Sequence, residues 1–275
     1  MPGSQLQKKL SIVTYNTFGV PFFAPNLAYR YKNIARLLDE GPYDVVCLQE
    51  VFSYYNLSLL KKGMPNFPYL LYQKNPFGPR GGLVIFSKHP LSKKAFSRFS
   101  FPKNAQIPFY TYVVQHGILS CTLEDLGIRI ATTHLSSDLE HNLTQKNKLY
   151  KLIRTQLEET ADQFNLLTSK YKYSFLVGDF NIAKHSELYQ LFMKKTNAKD
   201  IFETSESPTY NFERFKYIYV TPHSSRVDYM FMGKNGQMHP IRTVSLLDTP
   251  ISHSGGEKSY LSDHNGLHCI LSFNK

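Results

Sequence analysis

The sequence predicts an α/β fold in which two packed β-sheets are covered on the outside by helices. Three observations lead there. Eight short apolar runs are rich in Val, Ile, Phe, Tyr and Thr, the residues that suit a pleated, half-buried surface. Two longer stretches repeat apolar residues every three or four positions, which places them on one helical face. The strand-like runs clearly outnumber the helical ones, which favours a sandwich of two sheets over a singly wound parallel sheet.

In chain order, Leu10–Tyr15 is the first strand-like run. Asn26 is an expected N-cap for a helix whose buried face is Leu27, Tyr31, Ile34 and Leu38. Asp44–Leu48 is the next strand-like run, and Ser53 is a second expected N-cap. Leu83–Ser87, Tyr112–Leu123 and Ile128–Thr133 read as strands as well. Leu149, Ile153, Leu157, Ala161, Phe164 and Thr168 form the second helical face. Phe175–Val177, Val227–Met232 and Leu267–Phe273 complete the set. The segment from Ser205 to Ser225 has no such pattern and is long for a plain connection, so a functional loop is expected there.

At 275 residues, the chain suits one catalytic domain over 11–275 after a short polar tail at 1–10. Apolar residues make up 42% of the chain, enough for a sizeable core. No run approaches the ~18 apolar residues of a membrane span. Met1–Lys9 lacks the apolar middle of a secretory signal, so a cytoplasmic location and a monomer are the expectations. Cys47, Cys121 and Cys269 are widely spaced in apolar runs and are expected to be buried free thiols. The net charge of +11 favours a polyanionic partner, either nucleic acid or an anionic lipid surface. The basic residues are dispersed, with no block of five like charges, so the charge does not choose between them.

Chemistry gathers where the strand-like runs end. The first ends at Asn16, the second at Glu50, a later one at His134, and another at Asp179-Phe180-Asn181. Asp228 lies inside an apolar run, where a buried carboxylate needs a partner. Asp263-His264 precedes the last run. Each residue alone has an ordinary explanation as a turn, a helix start or a structural histidine. The ordered set is much more specific.

Tyr15-Asn16-Thr17, Leu48-Gln49-Glu50-Val51, Thr133-His134-Leu135, Gly178-Asp179-Phe180-Asn181, Val227-Asp228-Tyr229 and Ser262-Asp263-His264 together resemble the exonuclease–endonuclease–phosphatase superfamily. The resemblance spans about Ser11 to Phe273. It implies a four-layered α/β sandwich, two mixed β-sheets face to face flanked by helices. It also implies Mg²⁺-assisted attack of water on a phosphoryl group, with Mn²⁺ as a possible substitute. Mg²⁺ takes a few hard oxygen ligands and keeps several waters. On this resemblance Glu50 is the principal metal ligand, Asn16 supports it or its water shell, and Asp263 adds a carboxylate. Asn181 and His134 would bind the phosphoryl oxygens. His264, oriented by Asp228, and Asp179 share the handling of the attacking water. Which of Asp179 and His264 takes the proton is left open by the sequence.

Within that superfamily, Asn16-Thr17-Phe18-Gly19-Val20-Pro21, Leu48-Gln49-Glu50-Val51-Phe52 and Gly81-Gly82-Leu83-Val84-Ile85-Phe86-Ser87-Lys88-His89-Pro90 are similar to the neutral sphingomyelinase-like branch. That resemblance implies a phospholipid headgroup as substrate. The exposed, often Trp-bearing hairpin of bacterial sphingomyelinases has no counterpart here, because the chain has no Trp and 247–260 is polar. Phe99 to Lys103, with Phe109 and Tyr110 behind, is the alternative candidate for peripheral membrane contact, against simple core packing. The rival reading is a nuclease, with Tyr210, Phe212, Phe215, Tyr217 and Tyr219 among Arg214 and Lys216 stacking on bases. A non-catalytic phosphate-binding module is the third reading.

Overall fold

Two six-stranded sheets face each other, and each is built around a parallel pair whose ends carry the chemistry. The computed structural model describes residues 8–103, 105, 107–138, 143–215, 223–234, 238–252 and 258–273. The first sheet contains β1 (Lys8–Asn16), β2 (Val45–Gln49), β3 (Tyr69–Leu71), β4 (Val84–Ser87), β11 (Met238–Leu246) and β14 (Gly266–Phe273). Its order is β11-β14-β1-β2-β4-β3. The second contains β5 (Leu91–Arg98), β6 (Gly117–Leu123), β7 (Ile128–His134), β8 (Ser174–Asp179), β9 (Lys199–Asp200) and β10 (Asp228–Met232). Its order is β5-β6-β7-β8-β10-β9. β12 (Ile251–Ser252) and β13 (Lys258–Ser259) make a small antiparallel pair apart from both. Both large sheets are mixed: β1–β2 and β7–β8 run parallel, and the other pairings in them are antiparallel.

The helices are α1 (Leu27–Glu40), α2 (Tyr54–Gly63), α3 (Phe109–Val114), α4 (Tyr150–Lys170) and α5 (Glu187–Thr196). Ile12, Val45, Cys47 and Ile85 of one sheet pack against Leu119, Ile130, Phe175 and Met230 of the other, forming the central core. Tyr31, Ile34 and Leu38 of α1 cover the outer face of the first sheet through Val13, Val46 and Val84. Ile153, Leu157 and Phe164 of α4, with Phe192 of α5, cover the second through Leu176 and Phe231. The result is the expected four-layered sandwich. The near-continuous burial of β2, β6, β7, β8 and β10 follows from cover on both faces. The three cysteines are buried and free, as expected.

Several local expectations are corrected. Tyr112 to Val114 opened the run read as a strand, but these residues close the helix α3, and β6 begins only at Gly117. These three residues, at the end of a short, largely exposed six-residue helix, carry no alternation strong enough to separate the two states. β3, β5 and β11 were not anticipated. Each is an edge strand with an irregular burial pattern, and β11 also carries Pro240 beside a register shift. Asn26 does not cap α1 through its side chain. Its backbone is left-handed (φ 50°), a conformation Asn tolerates, and its carbonyl accepts from Arg30 N–H. Ser53 caps α2 as expected, its hydroxyl accepting from Asn56 N–H at 3.0 Å. β1 begins at Lys8, inside the stretch read as a polar tail.

Candidate active site

Strand register assembles the site. In the first sheet Asn16 pairs with Gln49 across β1–β2, which puts Glu50 one residue beyond the strand end beside Asn16. In the second sheet His134 pairs with Asp179 across β7–β8, and Asp179 pairs with Asp228 across β8–β10. Three functional side chains thus form one row across adjacent strands, at the same end of the sandwich as Asn16 and Glu50. Asp263 and His264 enter from the segment before β14. All eight sequence-predicted residues converge.

The backbone is shaped to allow this. Glu50 and Asn181 hold left-handed conformations (φ 61° and 51°), uncommon for such residues and costly unless the surroundings enforce them. Gly82 is one enforcer. Its φ is +69°, and a Cβ there would lie 3.0 Å from Glu50 Cα and 2.7 Å from the Phe52 ring. Gly178 is needed for a close approach, since a Cβ would meet Thr133 O at 2.0 Å.

Asn16 is the central bridge between the sheets. Its Nδ2 donates to Glu50 Oε1 at 3.0 Å and to Asp179 Oδ2 at 2.9 Å, while its Oδ1 accepts from Phe18 N–H. The amide therefore turns its donor, not its oxygen, toward the carboxylates. Asn16 braces Glu50 and Asp179 through its nitrogen, and its oxygen is engaged by Phe18 N–H. Asp179 Oδ1 accepts from Asn181 N–H at 2.8 Å. Asn181 Nδ2 donates to Leu135 O at 2.9 Å, which holds its side chain against the end of β7. His264 Nδ1 lies 2.8 Å from Asp228 Oδ2, and its Nε2 lies 3.7 Å from Asp179 Oδ2 and 4.0 Å from Asp263 Oδ1. His134 Nε2 lies 3.7 Å from Asp179 Oδ2 and 3.9 Å from Glu50 Oε1.

Burial and crowding set the protonation states. Burial, then Asp263, pushes Glu50 up to about 7. Burial, then Asp228, pushes Asp179 up to about 8. For His264 burial acts downward, but Asp228, Asp179 and Asp263 together outweigh it and raise the imidazole to about 10. Burial, then His116 and His264, holds His134 well below the ordinary histidine range, so it is neutral. A neutral His134 whose Nε2 faces two carboxylates carries its proton there, as a donor aimed into the site.

A hard divalent cation fits this residue set. Glu50 Oε2 and Asp228 Oδ1 are buried oxygens without a hydrogen-bond partner. Unpaired buried carboxylate oxygens are costly, and a cation is the natural relief. Asp179, Asp228 and His264 offer ligand atoms within 4.8 Å of one another. His264 and Asp228 are engaged with each other, so Glu50 remains the carboxylate most open to an ion, with Asp263 close enough to raise its pKa.

Several supporting residues escaped the sequence reading. Thr209 Oγ1 accepts from both Val227 and Asp228 N–H, and the Tyr210 ring lies 5.4 Å from the His264 ring in a tilted contact, so Thr209 and Tyr210 back the His–Asp pair. Arg214 Nη1 donates to His264 O at 2.9 Å. Arg30, fully buried, donates to the carbonyls of Thr17, Phe18 and Leu261, tying the chain after Asn16 to the chain before Asp263. Ser262 Oγ donates to Asn16 O at 2.8 Å. His116 Nδ1–H donates to His134 O. Ser262 had a signal in its place in the Ser-Asp-His motif, and Thr209, Tyr210 and Arg214 lie in the segment from Ser205 to Ser225 that was expected to be functional. Tyr210 and Phe215 are buried, so they offer no free faces for base stacking, and Lys216, Tyr217 and Tyr219 lie outside the described residues.

A groove of about 570 Å³ opens beside Glu50 and His134. Val20, Phe52, Pro79, Val113 and Val114 contribute apolar walls, and among the described residues no Lys or Arg lines it.

The profile of the Endonuclease/Exonuclease/phosphatase family matches residues 13–264. A Drosophila melanogaster protein described as a putative neutral sphingomyelinase is 24% identical over 94% of this chain. The chain spans 60% of that relative's length. Sphingomyelinase C from Streptomyces griseocarneus superposes with a TM-score of 0.70 at 21% identity, covering 97% of this chain and all of the other (100%). D. rerio TDP2, solved with a single-strand DNA product, superposes with 0.71 at 18% identity over 96% of this chain and 98% of the other. At such identities, these two likenesses speak for the fold alone.

Proposed function

The chain belongs to the endonuclease/exonuclease/phosphatase family, and from that premise we propose that it is a divalent-metal-dependent phosphodiesterase that hydrolyses sphingolipid headgroups in the manner of a phospholipase C. The observation that carries the lipid reading is the apolar groove beside Glu50 and His134. A substrate whose phosphate sits at these residues would lay the neighbouring part of the molecule into hydrocarbon-like walls. A nucleic acid would need cations and free aromatic faces there. Among the described residues the groove has neither a Lys or Arg nor the expected Tyr210 and Phe215 as a platform, since both are buried elsewhere. The sphingomyelinase relatives agree with this reading.

Glu50 and Asp263 would hold Mg²⁺, with Asn16 orienting Glu50. When bound, the ion supplies Lewis-acid polarisation and neutralises charge developing on the phosphoryl oxygens. The remaining work falls to the chain's own side chains. His134 donates through Nε2 to a phosphoryl oxygen, and Asn181 lies on the same side. A water between Asp179 Oδ2 and His264 Nε2, which are 3.7 Å apart, touches both groups. With a cation bound, the raised pKa values of Asp179 and His264 are drawn back down, and the pair then takes the water's proton as its oxygen bonds to phosphorus. The bond from phosphorus to the lipid alcohol breaks, the departing oxygen takes a proton from a solvent water on the opposite side, and the pair returns its own proton to solvent. Asp228 keeps the His264 ring in one tautomer and orientation.

The direct test offers sphingolipid vesicles and supercoiled plasmid in parallel, each with Mg²⁺ or Mn²⁺. Metal-dependent release of the water-soluble phosphorylated headgroup is expected. Nicking of the plasmid without headgroup release would replace this reading with the nuclease one.

A further inference from the structure

Aromatic side chains usually go inside, yet three separate segments of this protein push theirs into solvent around one opening. Phe22 and Phe23 follow β1, Phe77 sits between β3 and β4, and Phe109, Tyr110 and Tyr112 lie on α3. Phe22, Phe109 and Phe77 are 104%, 81% and 70% exposed, values usual for an extended chain and unusual for phenylalanine in a fold. The segments are neighbours in space. Phe22, Phe77 and Tyr110 all reach the groove described above. Asn75 Nδ2 donates to Val113 O at 3.0 Å, tying the Phe77 loop to α3. A contiguous exposed aromatic patch marks an interaction surface.

The charge around this patch indicates what it meets. Between Glu50 and Glu124 the chain contains no Asp or Glu but nine Lys and Arg, and this stretch supplies two of the three aromatic segments. Exposed Lys74 precedes the Phe77 loop, and exposed Lys103 precedes α3. The third segment, from Asn16 to Asn26, has no charged residue at all. Uncharged rings on segments that carry cations, with Asp138 beside Tyr110 as the nearby carboxylate at the rim and Glu50 set inside the groove, match a bilayer interface bearing anionic lipid, where rings enter the headgroup boundary and cations meet phosphate.

We propose that the rim formed by Phe22–Phe23, Phe77 and the α3 aromatics seats the protein on an anionic lipid surface, with the groove mouth facing the bilayer. The inference rests on the lipid reading of the site, and it adds how a buried catalytic centre reaches a substrate held in a membrane. It also divides the segment first considered for membrane contact. Phe99 is buried and Phe101 packs at 4.6 Å on Tyr112, so only Phe109, Tyr110 and Tyr112 take part.

The test uses the full chain and a Phe23→Asp/Phe109→Asp variant, two exposed positions off the groove wall. Sedimentation with phosphatidylcholine vesicles, with and without phosphatidylserine, measures binding. A water-soluble p-nitrophenyl phosphodiester measures chemistry without a surface, and the melting temperature checks the fold. The expected result is wild-type binding favouring the anionic vesicles, at least about tenfold weaker binding by the variant, and equal rates on the soluble ester. Unchanged vesicle binding by the variant would overturn the proposal. So would an equal loss on both substrates, or a lipid-free dimer of the wild type that the variant dissolves, which would make a second copy the occupant. Wild-type binding without headgroup release would leave the docking surface standing and overturn the lipid-hydrolase reading instead.

Discussion

Asp179 and Asp228 face each other across the antiparallel β8–β10 pair, and His264 closes on both, 2.8 Å from Asp228 and 3.7 Å from Asp179. Two adjacent buried carboxylates repel each other, and an imidazole held beside them binds a proton whose positive charge offsets theirs. The arrangement explains why a histidine in a buried site is pulled up in pKa when burial alone would lower it.

Asp228→Asn keeps the shape of this contact but cannot accept the His264 Nδ1 proton with a full negative charge. The His264 pKa then drops, and the neutral ring that results is no longer held in one tautomer facing Asp179. Turnover should fall by roughly a thousandfold with little change in KM. Steady-state kinetics on a soluble phosphodiester decide it. Turnover within about threefold of wild type would remove Asp228 from the proton pathway.

Glu50→Gln removes the carboxylate whose Oε2 is unpartnered, while keeping an acceptor for Asn16. Metal affinity should weaken by roughly tenfold or more, and activity should recover in part at high Mg²⁺. His264→Gln should lose activity that no metal concentration restores. Titration calorimetry with Mg²⁺ separates the two variants.

The pH dependence of stability has a definite sign. Glu50 and Asp179 have folded-state pKa values near 7 and 8, above their ordinary values of 4.5 and 3.8. Below about pH 4 both are protonated folded or unfolded. As pH rises from about 4 to about 8, the unfolded chain releases these protons first, so the protein without a bound cation loses stability. His264, raised from 6.5 to about 10, acts in the same direction between those values. Melting temperature should therefore fall across this window in chelator, and saturating Mg²⁺ should reduce the fall. A flat profile in chelator would contradict the crowded-carboxylate picture.

Arg30 donates to four backbone carbonyls, those of Thr17, Phe18, Pro25 and Leu261, from a fully buried position, with its guanidinium 5.1 Å from the Phe18 ring. Arg30→Met should cost about 3 kcal/mol by leaving those carbonyls without donors. Arg36 makes only an exposed pair with Glu40, so Arg36→Met should cost no more than about 0.5 kcal/mol. Urea denaturation of both variants makes the comparison.

The sandwich and the eight-residue site could be read from the chain because the signals are local. Strand ends such as Thr133-His134 and Gly178-Asp179 combine an apolar run with an abrupt polar residue, and their order is distinctive. β5 and β11 were illegible because edge strands are half solvated and lose their alternation. Tyr112 to Val114 read as strand because aromatic and β-branched residues favour it in isolation, whereas the preceding turn at Pro108 started a helix.

By itself the sequence determined which residues are chemically competent and that hydrophobic strands deliver them: Glu50, His134, Asp179, Asp228 and His264 are each written next to an apolar run. The tertiary structure alone decided their distances, protonation and support. Register placed His134, Asp179 and Asp228 in one row, and face-to-face packing brought Asn16 and Glu50 within reach of it. It also decided that Asn16 turns its amide nitrogen inward, and that exposed aromatics from three distant segments ring one groove. The reason is physical: side-chain type is a local property, but electrostatic coupling and surface shape depend on which segments folding brings within a few ångströms.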